Sequence, residues 1–414
     1  MTAPAEPKKR SWTGLIKYVI GFALLALVLG LNWNDKPEYV KGPDGRSWEV
    51  WEEKPVPDAN GQPAVDPATG EPRVQLVPTV GQPGLKSLLQ QRPEWGMFAL
   101  CGVLCGGVVA SQYVRWFVLV RALDLPFTLR NAFRLGMVGT FYSTFLPGAI
   151  GGDLVKAFFI AKGQPARRAA AVSTVVADRA LGLFGLLVFG GFVGGAVWLS
   201  GNEQIAANPK LQGIIVGSAV AAVVVAMGYL GLGWVSPARA ERIDARLKGV
   251  RKVGPTLAEL FETGLRYRRR PRAILIGVGL SAVGHLLMML LFHFAVQIFP
   301  PADPALLGTF GEHIVIAPIG FIVQAVIPLP GGLGAAELSF GGLYELLRKG
   351  GRAVGLTGRL ALRVIEWTLG GVCYIVYLTM KDELPAEPTK AEVEDAAKLE
   401  PVGTASSGSQ TAQT

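Results

Sequence analysis

Two stretches decide how the rest of the chain is read: FLPGAIGGD (145–153) and PLPGGLGAAE (328–337). Each sets Leu-Pro-Gly in apolar sequence and follows it, within a few residues, with a further glycine and then an acid. Proline removes an N–H and disrupts the preceding turn, while glycine permits the chain to reverse. Backbone left unpaired at membrane depth is tolerated only where protein or a wet cavity surrounds it. Each stretch is therefore predicted to form the tip of a re-entrant hairpin facing something polar. The turn residues are Pro147, Gly148, Gly151 and Gly152 in the first copy, and Pro330, Gly331 and Gly334 in the second.

The surrounding composition supplies the membrane. Half of the 414 residues are hydrophobic and only 17% are charged, against about a quarter charged in an ordinary soluble chain. Apolar runs at Gly14–Trp33, Trp95–Val120, Val172–Leu199, Leu211–Val235 and Ala273–Phe299 approach or exceed the ~20 residues a helix needs to cross hydrocarbon. The first run follows Lys8, Lys9 and Arg10, but it is long for a signal peptide and no small-residue cleavage site follows it, so an uncleaved anchor is expected. Cys101, Cys105 and Cys373, and likewise His285, His293 and His313, lie without a carboxylate–His cluster; packing or polar contacts are expected of them, and no metal or cofactor.

Charge is unevenly placed. Between Ser236 and Arg272 there are 11 Lys/Arg against 4 Asp/Glu, which puts that segment and the N-terminus in the cytoplasm. The run RYRRRP (266–271) also suits anionic headgroups as well as a plain topology signal. No folded basic domain is evident, so nucleic acid is not an expected partner. The expected division is a tail and anchor at 1–33, a Pro/Gly-rich extracytoplasmic loop at 34–94, a first half at 95–199, a linking span and basic loop at 200–272, a second half at 273–380 and a disordered tail at 381–414.

The two breaker stretches belong to a longer repeat. Asp153 is followed 26 residues later by Arg179, and Glu337 is followed 26 residues later by Arg363. Bases flank 131–161 on both sides, so that hairpin is expected to enter and leave on the cytoplasmic face. Three apolar runs then separate the copies, so the second should enter from the opposite face. The fold expected is an all-α polytopic integral membrane protein with about six full spans plus two re-entrant helical hairpins in an inverted repeat, an architecture used by transporters. The bases Arg348, Lys349, Arg352 and Arg359 fall on the outward side and resist this scheme.

Arg179 lies 11 residues beyond Arg168, roughly 16 Å along a helix. An arginine at that depth costs about 3 kcal/mol unless it is paired or wet. Asp178 points ~100° away from it around the helix, so Asp153 is the expected partner, and Glu337 that of Arg363, with Glu366, three residues after Arg363 on the same face, as the alternative. One reading is an ion pair that only locks hairpin to helix. The other is a polar cavity in which Arg179 and Arg363 meet a phosphate headgroup, with Asp153, Glu337, Lys156 and Asp178 around it. Lys156 either joins this group or snorkels to the cytoplasm. Arg115 and Trp116 are expected at the inner interface, the arginine snorkelling beside an aromatic belt.

Taken together, Arg115-Trp116, FLPGAIGGDLVKA with Lys162-Gly163, Ala177-Asp178-Arg179, and IPLPGGLGAAE followed by Arg363 resemble the lysylphosphatidylglycerol synthase transmembrane-region family, the flippase-like or UPF0104 membrane proteins, over roughly 95–380. The resemblance implies movement of lipids, notably aminoacylated phosphatidylglycerol, between leaflets of a bacterial cytoplasmic (inner) membrane. Synthase members add a large C-terminal aminoacyltransferase domain; here only 381–414 follow the last apolar run, so lipid lysylation by this chain is not expected. The long insert at 34–94 departs from the family's short first loop. The expected partners are membrane lipids (anionic phospholipid, aminoacyl-phosphatidylglycerol or a polyprenyl phosphate), with a separate lipid-modifying enzyme in addition if the chain acts as a scaffold. A membrane glycosyltransferase or phosphotransferase is the enzymatic alternative.

Overall fold

A computed structural model describes residues 12–37, 39–41, 47–55, 72–78, 80–145, 151–250, 254–327 and 329–380. The expectations for Pro147, Gly148 and the 381–414 tail lie outside the described residues. The remainder is a helical membrane protein. Among the described residues, five helical stretches are long and apolar enough to cross a membrane: Trp95–Ala122, Pro165–Leu199, Pro209–Trp234, Pro271–Ala295 and Arg352–Thr379. Helix α1 (Trp12–Leu31) adds a shorter apolar stretch, Ile16–Leu31.

The excursion after α1 is not all loop. It contains three antiparallel strand pairs: β1 (Lys36–Pro37) with β6 (Val80–Gln82), β2 (Tyr39–Lys41) with β3 (Ser47–Glu49), and β4 (Trp51–Pro55) with β5 (Val74–Pro78). Valine, tyrosine and tryptophan supply the strand preference, which the flanking prolines and glycines obscure in the sequence. At its base Asp35 Oδ1 accepts from the Gly84 N–H (2.6 Å) and the Ser87 hydroxyl (2.7 Å), joining the chain's exit to the short helix α2 (Leu85–Leu89).

Then follow α3 (Trp95–Ala122), α4 (Leu129–Phe145), α5 (Gly151–Lys162) and α6 (Arg168–Val188). A π-helical turn at Phe189–Val193 runs into α7 (Gly194–Leu199). A Cβ on Gly191 there would sit 2.5 Å from Ala219 Cα, so only glycine admits the neighbouring backbone. The chain continues through α8 (Glu203–Ala206), α9 (Pro209–Gly231), α10 (Pro237–Lys248), α11 (Gly254–Tyr267) and α12 (Pro271–Ala295). It closes with α13 (Phe310–Val326), α14 (Ala335–Leu347) and α15 (Arg352–Met380).

The contacts divide the chain into two units whose boundaries fall inside long helices. One comprises 1–105, 189–219 and 288–365; the other comprises 106–188, 220–287 and 366–414. The hairpin α4–α5 with Arg179 belongs to the latter, and α13–α14 with Arg363 to the former. At 12 and 13 residues, α5 and α14 rise only ~18–20 Å, too short to span hydrocarbon.

The second break shows why it is glycine-rich. Gly331, Gly332 and Gly334 all have positive φ (53°, 67° and 79°), a conformation side chains resist. Gly334 also presses on α1: an added Cβ would lie 2.9 Å from Gly21 O and 2.8 Å from Leu24 Cβ. Gly334→Ala is expected to destabilise by at least about 1–2 kcal/mol from backbone conformation alone. Gly342, in α14 with nothing within 4 Å of a Cβ, should accept alanine with no loss and a gain of up to ~1 kcal/mol. Thermal unfolding in detergent distinguishes the two; equal melting temperatures would contradict the role given to Gly334.

Candidate functional site

The first hairpin builds a chain of alternating charges. Asp153 is the third residue of α5 and Arg179 the twelfth of α6; Arg179 Nη1 donates to Asp153 Oδ2 at 2.5 Å. One turn on, Lys156 Nζ lies 3.3 Å from Asp153 Oδ1 and 3.9 Å from Asp178 Oδ2, over the Trp116 ring at 5.3 Å. Asp178 in turn accepts from Arg115 Nε at 2.7 Å. The sequence Arg115–Asp178–Lys156–Asp153–Arg179 thus reads plus, minus, plus, minus, plus.

Local packing holds this chain in place. Arg115 Nη1 donates to the Ser281 hydroxyl (2.8 Å), and Trp116 Nε1 to Thr174 Oγ1 (3.1 Å). Gly139 on α4 leaves room for the Lys156 stem; a Cβ there would lie 2.6 Å from Lys156 Cγ. Gly152 lets α5 approach Ser143 and the Gly139 carbonyl. Lys156 therefore joins the charged group and does not snorkel. Arg115 does not snorkel either: it is 5% exposed and Trp116 1%. The reason is Asp178, which faces α3 across the packed interior and compensates the guanidinium where water would otherwise be needed. The open end is Arg179, whose side chain is 32% exposed.

The second hairpin repeats the register with different neighbours. Glu337 is the third residue of α14 and Arg363 the twelfth of α15. Arg363 donates to Glu337 Oε1 from Nε (2.9 Å) and Nη2 (2.6 Å), and from Nη1 to the Gly331 carbonyl (2.7 Å). Glu337 Oε2 accepts from the Gly334 N–H at 2.7 Å. The carboxylate therefore occupies the anion-favouring start of the half-helix, and the arginine satisfies a carbonyl freed by the break. Arg359 Nε adds a second cation 3.8 Å from Glu337 Oε1. Glu337 and Arg359 are fully buried and Arg363 is 3% exposed, so this copy is sealed where the first is open.

Sequence reasoning did not pair Arg115 with Asp178, nor find Arg359 beside Glu337. It also missed Glu312, 1% exposed, which Arg348 Nη2 contacts at 2.9 and 2.8 Å. Thr309 and Glu312 form a capping box at the start of α13, a signal readable in TFGE. Arg348, one of the bases that resisted the expected topology, is thereby consumed by an internal carboxylate. The histidines make polar contacts: His285 Nε2 with Gly182 O (2.7 Å), and His293 Nδ1 with His313 Nδ1 (2.8 Å).

Long apolar helices, two short broken ones and ion pairs inside them define a polytopic membrane protein with a charged interior. The chain belongs to the family described as the lysylphosphatidylglycerol synthase TM region, whose model matches residues 78–371. It is similar to a UPF0104 membrane protein of Methanothermobacter thermautotrophicus, 25% identical over 264 residues, covering 58% of this chain and 73% of that protein. A second UPF0104 membrane protein, from Methanocaldococcus jannaschii, is 29% identical over 115 residues, covering 26% of this chain and 34% of its own. No solved structure matches.

Proposed function

We propose that this protein is a flippase-like transporter that moves an anionic or aminoacylated lipid headgroup between leaflets, with the partly exposed Asp153–Arg179 pair as its headgroup contact and the sealed Glu337–Arg363 pair holding the second hairpin. The observation carrying this reading is the repeated register: an acid at the third position of a short broken helix pairs with an arginine at the twelfth position of the next helix, twice. A device that only locked a hairpin would be as sealed in the first copy as in the second. Instead Arg179 and Asp153 keep 32% and 23% of their side chains exposed. A guanidinium in that state can exchange a carboxylate for a phosphate with the same fork geometry. Asp153 holds Arg179 while the site is empty, or accepts a headgroup amine when Arg179 takes the phosphate.

The family's printed description, the transmembrane region of a lysylphosphatidylglycerol synthase, supports a lipid substrate. In this reading the two halves, 95–199 and 273–380, form an inverted repeat of re-entrant hairpins in the cytoplasmic membrane, and the basic segment 236–272 and the N-terminus are cytoplasmic, as positive-inside bias favours. A separate lipid-modifying enzyme would supply an aminoacylated substrate. Native mass spectrometry of the purified chain tests the substrate class: an anionic or aminoacyl phospholipid should be retained, and retention of zwitterionic lipid alone would contradict the proposal.

A further inference from the structure

A second basic assembly lies on the same unit as the first hairpin. In RYRRRP (266–271), Tyr267 is 1% exposed and its hydroxyl donates to Leu119 O at 2.9 Å, pinning the segment to α3. Arg268 turns to the end of α9, where Nη1 donates to the carbonyls of Leu232 (3.2 Å) and Val235 (2.8 Å). The other three do not follow it. Arg266, Arg269 and Arg270 converge with Arg167, from the turn before α6, on an open cavity of about 390 Å³ with Leu123 and Ala170 in its wall.

The charge at this cavity is poorly balanced. Asp124, held at φ 56°, pairs with Arg270, and its carbonyl accepts from Arg167 Nη1 at 3.3 Å. Among the described residues, the side chains of Arg266 and Arg269 have no ion-pair or hydrogen-bond partner. The helices α6 and α12 also begin here, at Arg168 and Pro271, adding the positive ends of two dipoles. The cavity is separate from the Arg115–Asp178 pair. Leu123, just past the end of α3, and Ala170 in α6 are each eight residues along the chain from that pair, ~12 Å at helical rise, and buried Leu119, Val120, Ala171 and Val175 fill the interval.

We propose that this cavity is an anion site for a ligand carrying two phosphate groups, distinct from the Asp153–Arg179 pair. Guanidinium forks match phosphate oxygens bidentately, and the volume falls within the range of small-ligand sites. One ligand chemistry has two sources: a bisphosphate lipid headgroup of the inner leaflet, which basic pockets at the cytoplasmic ends of spanning helices are known to hold, or a soluble diphosphate. The site stands whether or not the chain moves lipids.

The test uses the full chain in neutral-lipid nanodiscs. Inorganic pyrophosphate is titrated by calorimetry, and cardiolipin is introduced separately and counted by native mass spectrometry. Saturable binding of pyrophosphate at physiological salt assigns a soluble ligand, and retention of cardiolipin alone assigns a lipid; each supports the site. The double change Arg266→Gln/Arg269→Gln should weaken the bound probe by about tenfold or more. Arg268→Gln should leave that affinity unchanged while lowering the melting temperature, which separates a binding defect from a folding one. Binding of neither probe, or equal affinity in wild type and the double variant, overturns the proposal.

Discussion

Replacing Arg363 by alanine is expected to destabilise the protein by about 3–5 kcal/mol, the cost of stranding one member of a buried ion pair. Glu337 is fully buried and, among the described residues, would keep Arg359, at 3.8 Å, and its own backbone cap. The Gly331 carbonyl would lose the Nη1 donor that satisfies it. Arg363→Lys should fall between, because an ammonium restores the charge but cannot reach two carboxylate contacts and a carbonyl from one planar fork. Thermal unfolding in detergent measures the order. A melting temperature for Arg363→Ala equal to wild type would show that the second pair does not hold its hairpin to α15.

The matching change in the first copy should behave differently. Arg179 and Asp153 are 32% and 23% exposed, and ion pairs of that kind contribute only ~0.2–1 kcal/mol. Lys156 remains 3.3 Å from Asp153 after Arg179 is removed. Arg179→Ala is therefore expected to fold, yet to lose affinity for an anionic headgroup by roughly 10- to 100-fold, the value of a charge-assisted hydrogen bond. Counting co-purified lipid in wild type and variant reads this directly. A variant that unfolds like Arg363→Ala would reduce the first pair to a structural lock.

The contrast between these residues shows what the sequence carried. The Asp153–Arg179 and Glu337–Arg363 pairs were readable because identical spacing on a repeated motif stands out against apolar sequence. The glycine-rich turn was readable for the same reason, since Gly331 and Gly334 have few roles in an apolar chain beyond positive φ. Arg115–Asp178 was not readable. It joins helices 63 residues apart, and an arginine near the end of an apolar run reads equally well as snorkelling. Arg348–Glu312, 36 residues apart, was hidden because Arg348 also fits a positive flank. The strands of the excursion after α1 were hidden by proline and glycine, which mark turns but do not show which segments between them pair. Arginines at 359 and 363 likewise dilute the hydropathy of the last spanning helix.

The most direct measurement is the rate at which acyl-labelled phosphatidylglycerol in proteoliposomes becomes accessible to a membrane-impermeant reductant. Wild-type protein should raise that rate above protein-free vesicles, and correctly folded Arg179→Ala should lower it by tenfold or more. Equal rates for wild type, Arg179→Ala and empty vesicles would contradict the account.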